Sequence, residues 1–384
     1  MIIEDIRLHK QYQYDILECL LDGKRLYFEC SQIKTQDSSD LMYDAFVIAV
    51  LPLMLEKNEN LFVKGNVDSI LLRQVNEYIL PKLCEINNFK NTLRVESTNT
   101  NVIDILSNKN VATGLSCGVD SLATIKEFRD ENKPISFVTF LDAGSHGLYS
   151  SKSTDEIFNF RLENAKKAAQ NIGSKLIIIR TNAHSFIEGR FESAHSFLNI
   201  SCAFATLGLI NEYRYASAYK FSESTLIPGD TSNYDHHILP ELYSSYFKTA
   251  STLKKYTRLE RIRNISNLKI SQEYLDVCTN SLSAKKNGFQ NCSSCHKCMR
   301  TFMALENFTK LDNFSKIIDV EKYESSKMRY IHYLLSGDLP IHDKEILDML
   351  HENKLITYKH KLFSRYTKFE KALKALLKNV LTHD

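Results

Sequence analysis

The hydrophobic and polar positions in the first part of the chain predict a mixed α+β unit. Residues 12–30 hold two strand-like runs joined by Asp22-Gly23, a dipeptide that readily supplies the positive φ angles of a tight hairpin turn. After a polar stretch, residues 38–40 offer a helix cap. The predicted elements that follow are a helix over residues 41–55, a strand over 60–64 and a helix over 69–86. Residues 98–110 are rich in Asn, Thr and Ser and indicate a boundary.

A different pattern starts at residue 111, where predicted strands and helices alternate. The strands are predicted over residues 111–115, 135–141, 175–180 and 215–219, and the helices up to 128, over 155–172 and over 197–212. This alternation is typical of an α/β fold whose parallel sheet is covered by helices on both faces. Beyond residue 307 the chain reads as helical, and residues 354–384 carry eight Lys and Arg against two acids. The predicted domains are an N-terminal α+β domain over 1–107, an α/β domain over 108–306 and a basic helical region over 307–384.

Composition and charge exclude several classes of protein. Of the 384 residues, 43% are hydrophobic and 25% are charged, which is ordinary for a globular chain and argues against a disordered or fibrous one. The net charge of +3 is too small to indicate nucleic acid or an anionic membrane as partner. The longest apolar run, residues 45–55, is too short to cross a bilayer, and the chain does not open on a secretion signal. We expect a cytoplasmic protein without a membrane partner.

The strongest motif follows the strand predicted over residues 111–115. Residues 116–121 read Ser-Cys-Gly-Val-Asp-Ser and stand between a strand and a helix. A loop in this position points several backbone N–H groups at one spot and adds the positive end of the helix dipole, which together bind phosphate oxygens. The serine hydroxyls add donors, and Asp120 is suited to hold the Mg²⁺ that accompanies a nucleotide. The motif is not a Walker loop, because no Gly-Lys-Ser/Thr follows it.

This string resembles the PP-loop, Ser-Gly-Gly-x-Asp-Ser, of the ATP pyrophosphatase families with a HUP-like fold. Its one departure is Cys117, which stands where the family has glycine and is either a tolerated small residue or a reactive thiol. Residues 137–144 and 163–179 resemble the second strand, the next helix and the third strand of the QueC family of 7-cyano-7-deazaguanine synthases. The resemblance implies catalytic roles for Ser116, Asp120 and Ser121. It also implies an ATP site made by Ser116, Cys117, Gly118, Val119, Asp120, Ser121 and Phe140.

Four of the nine cysteines predict a metal site. Cys292, Cys295 and Cys298 are separated by two residues each, and Cys278 lies thirteen residues before the first of them. Short Cys-x-x-Cys turns let two thiolates approach one ion, and a fourth thiolate closes a tetrahedral Zn²⁺ site. Because four sulfurs leave no open position for water, we expect a structural zinc. An iron–sulfur cluster is the alternative, and His296 is a spare ligand.

The resemblance to the QueC family extends to basic residues. The cysteine knuckle of that family is followed by an arginine, as Arg300 follows here, and residues 256–262 resemble a segment in which a basic residue precedes a glutamate. Arg258 is therefore a candidate contact for phosphate or substrate, with a solvated helix face as the alternative. Residues 230–237 read as a loop that either lines the substrate pocket or forms a simple turn. The cations available to a leaving pyrophosphate are Lys254, Lys255, Arg258, Arg261 and Arg300.

The resemblance covers residues 111–305 and implies an ATP-dependent ligase or synthase. A substrate oxygen would attack the α-phosphorus of ATP, pyrophosphate would leave, and a nitrogen nucleophile would displace AMP to give an amide or a nitrile. The acyl substrate would be a small molecule or, as for relatives in anti-phage gene clusters, a macromolecule. One alternative is a PP-loop enzyme that transfers sulfur to tRNA through Cys117 or Cys202. Another is a module that contains nucleotide and zinc and binds nucleic acid or a partner protein without turnover.

Overall fold

The computed structural model forms two compact units, the first over residues 1–256 and the second beginning at residue 257. It describes residues 1–34, 41–102, 110–146, 152–357 and 360. The predicted helix cap at 38–40 and most of the basic segment 354–384 lie outside the described residues. The chain divides between Tyr256 and Thr257, whereas the sequence predicts domain boundaries after residues 107 and 306.

One ten-stranded sheet organises the first unit. Its strands are β1 (Ile2–His9), β2 (Asp15–Leu21), β3 (Lys24–Cys30), β4 (Leu61–Asp68), β5 (Val95–Asn101), β6 (Val111–Gly114), β7 (Phe137–Asp142), β8 (Lys175–Thr181), β9 (Glu212–Tyr215) and β10 (Lys248–Ser251). Their order across the sheet is β10-β9-β6-β7-β8-β3-β2-β1-β4-β5. Neighbours from β10 to β8 are parallel, as are β1, β4 and β5, so the sheet is mostly parallel.

The predicted hairpin is confirmed, and it connects the two ends of the sheet. β2 and β3 are joined by Asp22 and Gly23, whose φ angles of 48° and 75° both lie in the left-handed region that a tight two-residue hairpin turn uses. β3 then pairs antiparallel with β8, with Phe28 opposite Thr181. Because of this pairing, the N-terminal strands and the later α/β strands share one sheet, and no unit boundary falls near residue 107.

Helices cover the sheet of the first unit. They are α1 (Asp44–Lys57), α2 (Ser69–Gln74), α3 (Leu80–Ile86), α4 (Val119–Asp130), α5 (Lys152–Ile172), α6 (His195–Phe204) and α7 (Asp235–Ile238), with a π-helical turn (Val75–Ile79) between α2 and α3. Parallel crossovers are right-handed, and the direction across the sheet reverses after β8, so α6 lies on the face opposite α4 and α5. The burial of β7 fits helices on both faces of the sheet, because all of its residues except Leu141 are buried.

Some elements of the first unit differ from their predicted bounds. The helix predicted over residues 197–212 ends at Phe204, because Leu207 and Gly208 take φ angles of 51° and 81° and turn the chain toward β9. The strand that follows therefore lies at Glu212–Tyr215 and not at 215–219. The polar segment predicted as a boundary begins inside β5, an edge strand with mostly exposed side chains.

The second unit is helical in its described part. Its helices are α8 (Arg258–Ile265), α9 (Lys269–Tyr274), α10 (Ser281–Lys286), α11 (His296–Phe308), α12 (Val320–Leu334) and α13 (Ile341–Glu352). The helices predicted beyond residue 307 are thus confirmed for α12 and α13. Both contact α11, for example through Phe302 and Tyr323, whose ring centroids lie 6.0 Å apart, so residue 306 lies within one packed unit. No helix in the described part of the chain combines the length and the apolar character that a membrane span requires.

Candidate functional site

The predicted phosphate loop connects β6 to α4. Asp120 lies in the first turn of α4. The Ser116 Oγ accepts the Gly118 N–H at 3.3 Å, and the Ser121 Oγ donates to the Gly118 carbonyl oxygen at 3.0 Å. Ser116 is exposed, Ser121 is buried, and Asp120 is intermediate. The loop therefore has the strand–loop–helix position in which backbone N–H groups and a helix dipole can receive an anion.

The residue that departs from the PP-loop string has an unusual backbone conformation. Cys117 has a φ of 58° and is 1% exposed. A side chain in this left-handed region crowds its own backbone, at a cost of about 1–3 kcal/mol. Gly118, by contrast, has an ordinary φ of −74°. The loop thus needs the conformational freedom of glycine at position 117, which is where the family string has it.

This loop lies where the strand order reverses. The chain runs from β6 through β7 to β8 and then crosses back to β9 on the other side of β6. In open α/β sheets, the crevice at the carboxyl ends of such strands is the usual ligand site. Thr113 pairs with Arg214, so the register brings Tyr215 beside Gly114 at this edge. A Cβ on Gly114 would lie only 3.2 Å from the Tyr213 hydroxyl, so the glycine makes room for a core tyrosine.

Three polar side chains from separate elements meet at the carboxyl end of β9. His195, the first residue of α6, has its Nδ1 3.1 Å from the Tyr215 hydroxyl and its Nε2 3.3 Å from Asp230 Oδ1. The side chain of His195 is 17% exposed and that of Asp230 is 35% exposed. We call Tyr215, His195 and Asp230 the Tyr215 triad. Sequence reasoning singled out residues 230–237 but missed His195 and Tyr215, which only the folded sheet brings together.

The charge states within the Tyr215 triad follow from its hydrogen bonds. Burial tends to raise the pKa of Asp230, but hydrogen bonds from His195 and from the Ser232 side chain and backbone lower it to about 2. An ionised carboxylate only accepts hydrogen bonds, so His195 Nε2 carries the hydrogen and Nδ1 accepts from the Tyr215 hydroxyl. Burial raises the pKa of Tyr215, with smaller contributions from the charges of Asp235 and Asp120, and the hydrogen bonds of Ser196 and Asn199 offset only part of this rise, so its hydroxyl is neutral.

The predicted adenine contact, Phe140, is a core residue of β7. It is 3% exposed, and its ring packs 5.4 Å from Phe158 and 5.6 Å from His146. Its role in nucleotide binding stays a prediction. At the end of the same strand, the fully buried Asp142 accepts hydrogen bonds from Arg180 at 3.1 Å. Burial tends to raise the pKa of Asp142, but His146 and Arg180 hold it below its usual value, so this carboxylate is ionised.

In the second unit, the four predicted cysteines form one cluster. The sulfur atoms of Cys278, Cys292, Cys295 and Cys298 all lie within 4.8 Å of one another, with 3.9 Å between Cys292 and Cys298. Zinc–sulfur bonds of about 2.3 Å in a tetrahedron place the sulfurs about 3.8 Å apart. The four cysteines therefore could hold a metal ion such as zinc. The spare ligand candidate His296 is exposed, and its ring packs 4.4 Å from Tyr333, outside this cluster.

Backbone and amide groups hold the cysteine cluster in place. The Cys278 sulfur accepts the N–H groups of Asn280 at 3.1 Å and of Cys292 at 3.3 Å. The fully buried Asn291 ties the two cysteine segments together, because its Oδ1 accepts the Val277 N–H at 2.9 Å and its Nδ2 donates to the Leu275 carbonyl oxygen at 2.8 Å. Sequence reasoning missed Asn291, although its place next to the first cysteine of the knuckle was a possible signal.

The predicted phosphate-binding cations are distributed between the two units. Arg258 and the fully buried Arg261 lie on α8, and Arg300 on α11 has its guanidinium 3.6 Å from Asp343 Oδ1. Burial lowers the pKa of His342 despite its bond to Glu345, and the charges of Arg258 and Arg300 lower it further. The two remaining predicted cations are exposed residues of the first unit, Lys254 and Lys255.

No family model, curated protein or solved structure matches this chain. The function is therefore inferred from the fold and from the geometry of the two sites.

Proposed function

We propose that this chain is a QueC-like PP-loop ATP pyrophosphatase. In this proposal it transfers AMP from ATP to a carboxyl or carbonyl oxygen of its substrate, releases pyrophosphate, and ligates a nitrogen nucleophile to the activated carbon. The acyl substrate is a small molecule or a macromolecule. The observation that carries the proposal is the position of residues 116–121, which follow β6 at the strand reversal of a mostly parallel sheet.

The conformation of the loop supports the same proposal. Cys117 keeps a φ of 58° although it is not glycine, and strained backbone of this kind is concentrated at functional sites. A loop that served only to connect a strand to a helix would have no need of that conformation together with two serines and Asp120. The string, its place in the sheet and its backbone geometry therefore point to one function.

The proposed chemistry needs positioning and charge stabilisation more than any special group. The loop N–H groups, Ser116 and Ser121 would bind the β- and γ-phosphates, and Asp120 would hold Mg²⁺, which offsets the phosphate charge. A substrate oxygen forms a bond to the α-phosphorus as the bond to pyrophosphate breaks. The nitrogen nucleophile then bonds to the acyl carbon, loses a proton and expels AMP.

For the cysteine cluster we propose a structural zinc. An iron–sulfur cluster must fit several iron atoms between its ligands, whereas the close sulfurs suit a single ion. Native mass spectrometry should find one zinc per chain, and Cys295→Ser should lose it. Because structural zinc stabilises the fold that holds it, a chelator should lower the melting temperature of the wild type and leave that of Cys295→Ser unchanged. Iron in the purified protein, or no metal, would contradict the assignment.

The central test measures AMP and pyrophosphate released from ATP and Mg²⁺ by the wild type and by Asp120→Ala. We expect Asp120→Ala to lower the rate by about 100-fold or more, because it removes the proposed Mg²⁺ ligand. Asp130→Ala is the matched control, since Asp130 lies at the other end of α4 and pairs with Lys126 at the surface. Release of ADP and phosphate would overturn the proposed chemistry.

The structure disfavours sulfur transfer through Cys202. A sulfur carrier needs an accessible thiolate, but Cys202 is fully buried in α6 and burial raises the pKa of its thiol. Cys117 is also nearly inaccessible. The binding-module alternative is tested by the same ATP assay together with a nucleic-acid binding assay at several salt concentrations. Salt-dependent binding of nucleic acid with no ATP consumption would favour this alternative.

A further inference from the structure

The residues beside the phosphate loop point to a second catalytic device. We propose that the Tyr215 triad is a proton relay that takes up the proton of the nucleophile at the nucleotide site. This inference rests on the proposed function and adds to it three residues, Tyr215, His195 and Asp230, that the PP-loop string does not contain. Tyr215 is the catalytic residue of the relay, and His195 and Asp230 act through it.

The position of Tyr215 is the first reason for this assignment. It is the last residue of β9. Because β9 pairs in parallel with β6, Tyr215 lies at the same end of the strands as the phosphate loop, the carboxyl end. Burial above all, then the charge of Asp235 and last that of Asp120, raises the pKa of Tyr215. A hydroxyl at a strand end beside a nucleotide crevice is well placed to meet a nucleophile that approaches a bound phosphate or acyl group.

The second reason is that the triad is held rigidly. His195 is fixed as the first residue of α6, and the Ser196 N–H donates to Thr231 Oγ1 at 3.2 Å, which ties that helix to the turn that contains Asp230. Asp230 is in turn fixed by the Ser232 N–H at 2.9 Å and the Ser232 hydroxyl at 2.5 Å. Such preorganisation is what a proton relay requires, because each transfer needs a maintained hydrogen bond.

The third reason is the direction of the hydrogen bonds. Asp230 is ionised and accepts from His195 Nε2–H, so Nδ1 is left with a lone pair toward the Tyr215 O–H. The triad can therefore move a proton inward from Tyr215 to His195, and the carboxylate stabilises the imidazolium that results. Burial is the main cause of the raised pKa of Tyr215. The hydroxyl therefore keeps its proton until a nucleophile transfers its own proton to the Tyr215 oxygen.

Water is the simplest nucleophile for the proposed step. The water oxygen bonds to the α-phosphorus as the bond to pyrophosphate breaks, and the electron pair of that bond leaves with pyrophosphate. A water proton moves to the Tyr215 oxygen while the Tyr215 proton moves to His195 Nδ1. In the ligation, the attacking nitrogen loses its proton by the same path as the carbon–oxygen bond to AMP breaks. In both cases His195 ends as an imidazolium beside Asp230.

The test uses the full-length protein with ATP and Mg²⁺ as the only reactants. We expect Tyr215→Phe and His195→Gln to lower the turnover number for AMP release by about 100-fold, the usual contribution of general-base catalysis. The dissociation constant of the protein for α,β-methylene-ATP in the presence of Mg²⁺, measured by calorimetry, should change by less than about threefold in these variants. The reason is that the relay does not hold the phosphates.

Control variants separate the relay from a structural role. Tyr246→Phe removes a hydroxyl that bonds to Asp44, and His351→Gln changes an exposed histidine of α13, and both should keep the wild-type turnover number. Asp230→Asn keeps the shape of the carboxylate but not its charge, so it should lower turnover with only a small fall in the melting temperature. Wild-type turnover in Tyr215→Phe and His195→Gln, or an equal loss of analogue binding, would overturn the relay alone. No AMP from the wild type would overturn the proposed function and the relay with it.

Discussion

Two tyrosine–carboxylate clusters of the first unit use similar groups in different surroundings. In the first, which we call the Asp44 cluster, Tyr246 donates to Asp44 at 2.8 Å and the Asp68 N–H donates to Asp44 at 2.9 Å. Asp44 and Asp68 are both fully buried. In the Tyr215 triad, the side chain of Asp230 stays 35% exposed and bonds to a histidine. The Asp44 cluster is enclosed in the core, and the Tyr215 triad lies at the carboxyl end of β9, beside a candidate nucleotide site.

The difference in surroundings sets opposite charge states. Burial raises the pKa of Asp44 to about 7, and the hydrogen bonds from the Asp68 N–H and Tyr246 compensate for only part of this effect. The pKa of Asp230 is instead lowered to about 2, because His195 and Ser232 outweigh its partial burial. A carboxyl group that is easily protonated suits a role in packing. A permanent carboxylate beside an imidazole suits a role in proton transfer.

The largest expected difference between the clusters is in stability. Asp68→Ala should lower the free energy of unfolding by about 3 kcal/mol or more. Asp68 caps α2 by accepting the N–H groups of Ile70 and Leu71 at 3.0 Å and also bonds to Ser245, so its loss leaves buried donors without acceptors. Asp230→Ala should cost about 1 kcal/mol or less, because the carboxylate is partly solvated. Urea denaturation of both variants measures this, and equal costs would contradict the comparison.

A smaller difference is expected in the pH dependence of stability. The folded-state pKa of Asp44 lies above its unfolded value of 3.8, so folding favours the protonated form, and the stability is lost as pH rises through about 7. Between about pH 8 and about pH 5.5 the wild type should gain roughly 2 kcal/mol relative to Asp44→Asn. Asp230 has the opposite sign, because its stabilisation is lost only as pH falls through about 2. Urea denaturation across this range, with Asp230→Asn as control, measures the contrast; a parallel pH response in Asp44→Asn would refute it.

The elements that the sequence predicted correctly are those with local causes. The turn at Asp22-Gly23, the strand–loop–helix at residues 116–121 and the cysteine cluster are each set by residues close together in the chain or by a fixed spacing. The Tyr215 triad is different, because His195 lies 20 residues from Tyr215 and 35 residues from Asp230. These residues meet only because β9 returns to the far side of β6.

The pairing of β3 with β8 was also beyond the reach of the sequence pattern. Both strands have ordinary apolar patterns, which predict a strand but not the strand with which it pairs. Without that pairing, the N-terminal strands read as a separate domain with a boundary near residue 107. The same limit applies to the helices of the second unit, whose apolar positions predict burial but not which neighbours they pack against.

The smallest effect on the free energy of unfolding is expected at Cys117. Its left-handed backbone conformation distinguishes the phosphate loop from the Asp44 cluster. Cys117→Gly should change the free energy of unfolding by less than about 1 kcal/mol. Relief of the strain at a φ of 58° is offset by the greater entropy of glycine in the unfolded chain and by the loss of a buried sulfur. Cys117→Val should cost more, because a β-branched side chain fits a left-handed backbone poorly. Urea denaturation and AMP release measure both variants.

Turnover in Cys117→Gly then decides what the cysteine does. If the residue is only a tolerated replacement for glycine, this variant keeps the AMP-forming activity of the wild type, since the loop geometry is preserved and no thiol takes part in the proposed steps. Loss of activity with intact binding of α,β-methylene-ATP would mean that the thiol itself reacts, which would favour the sulfur-transfer chemistry. The strain at this position would then be retained for the sulfur atom, and the loop would differ from the Asp44 cluster in its chemistry as well as in its backbone geometry.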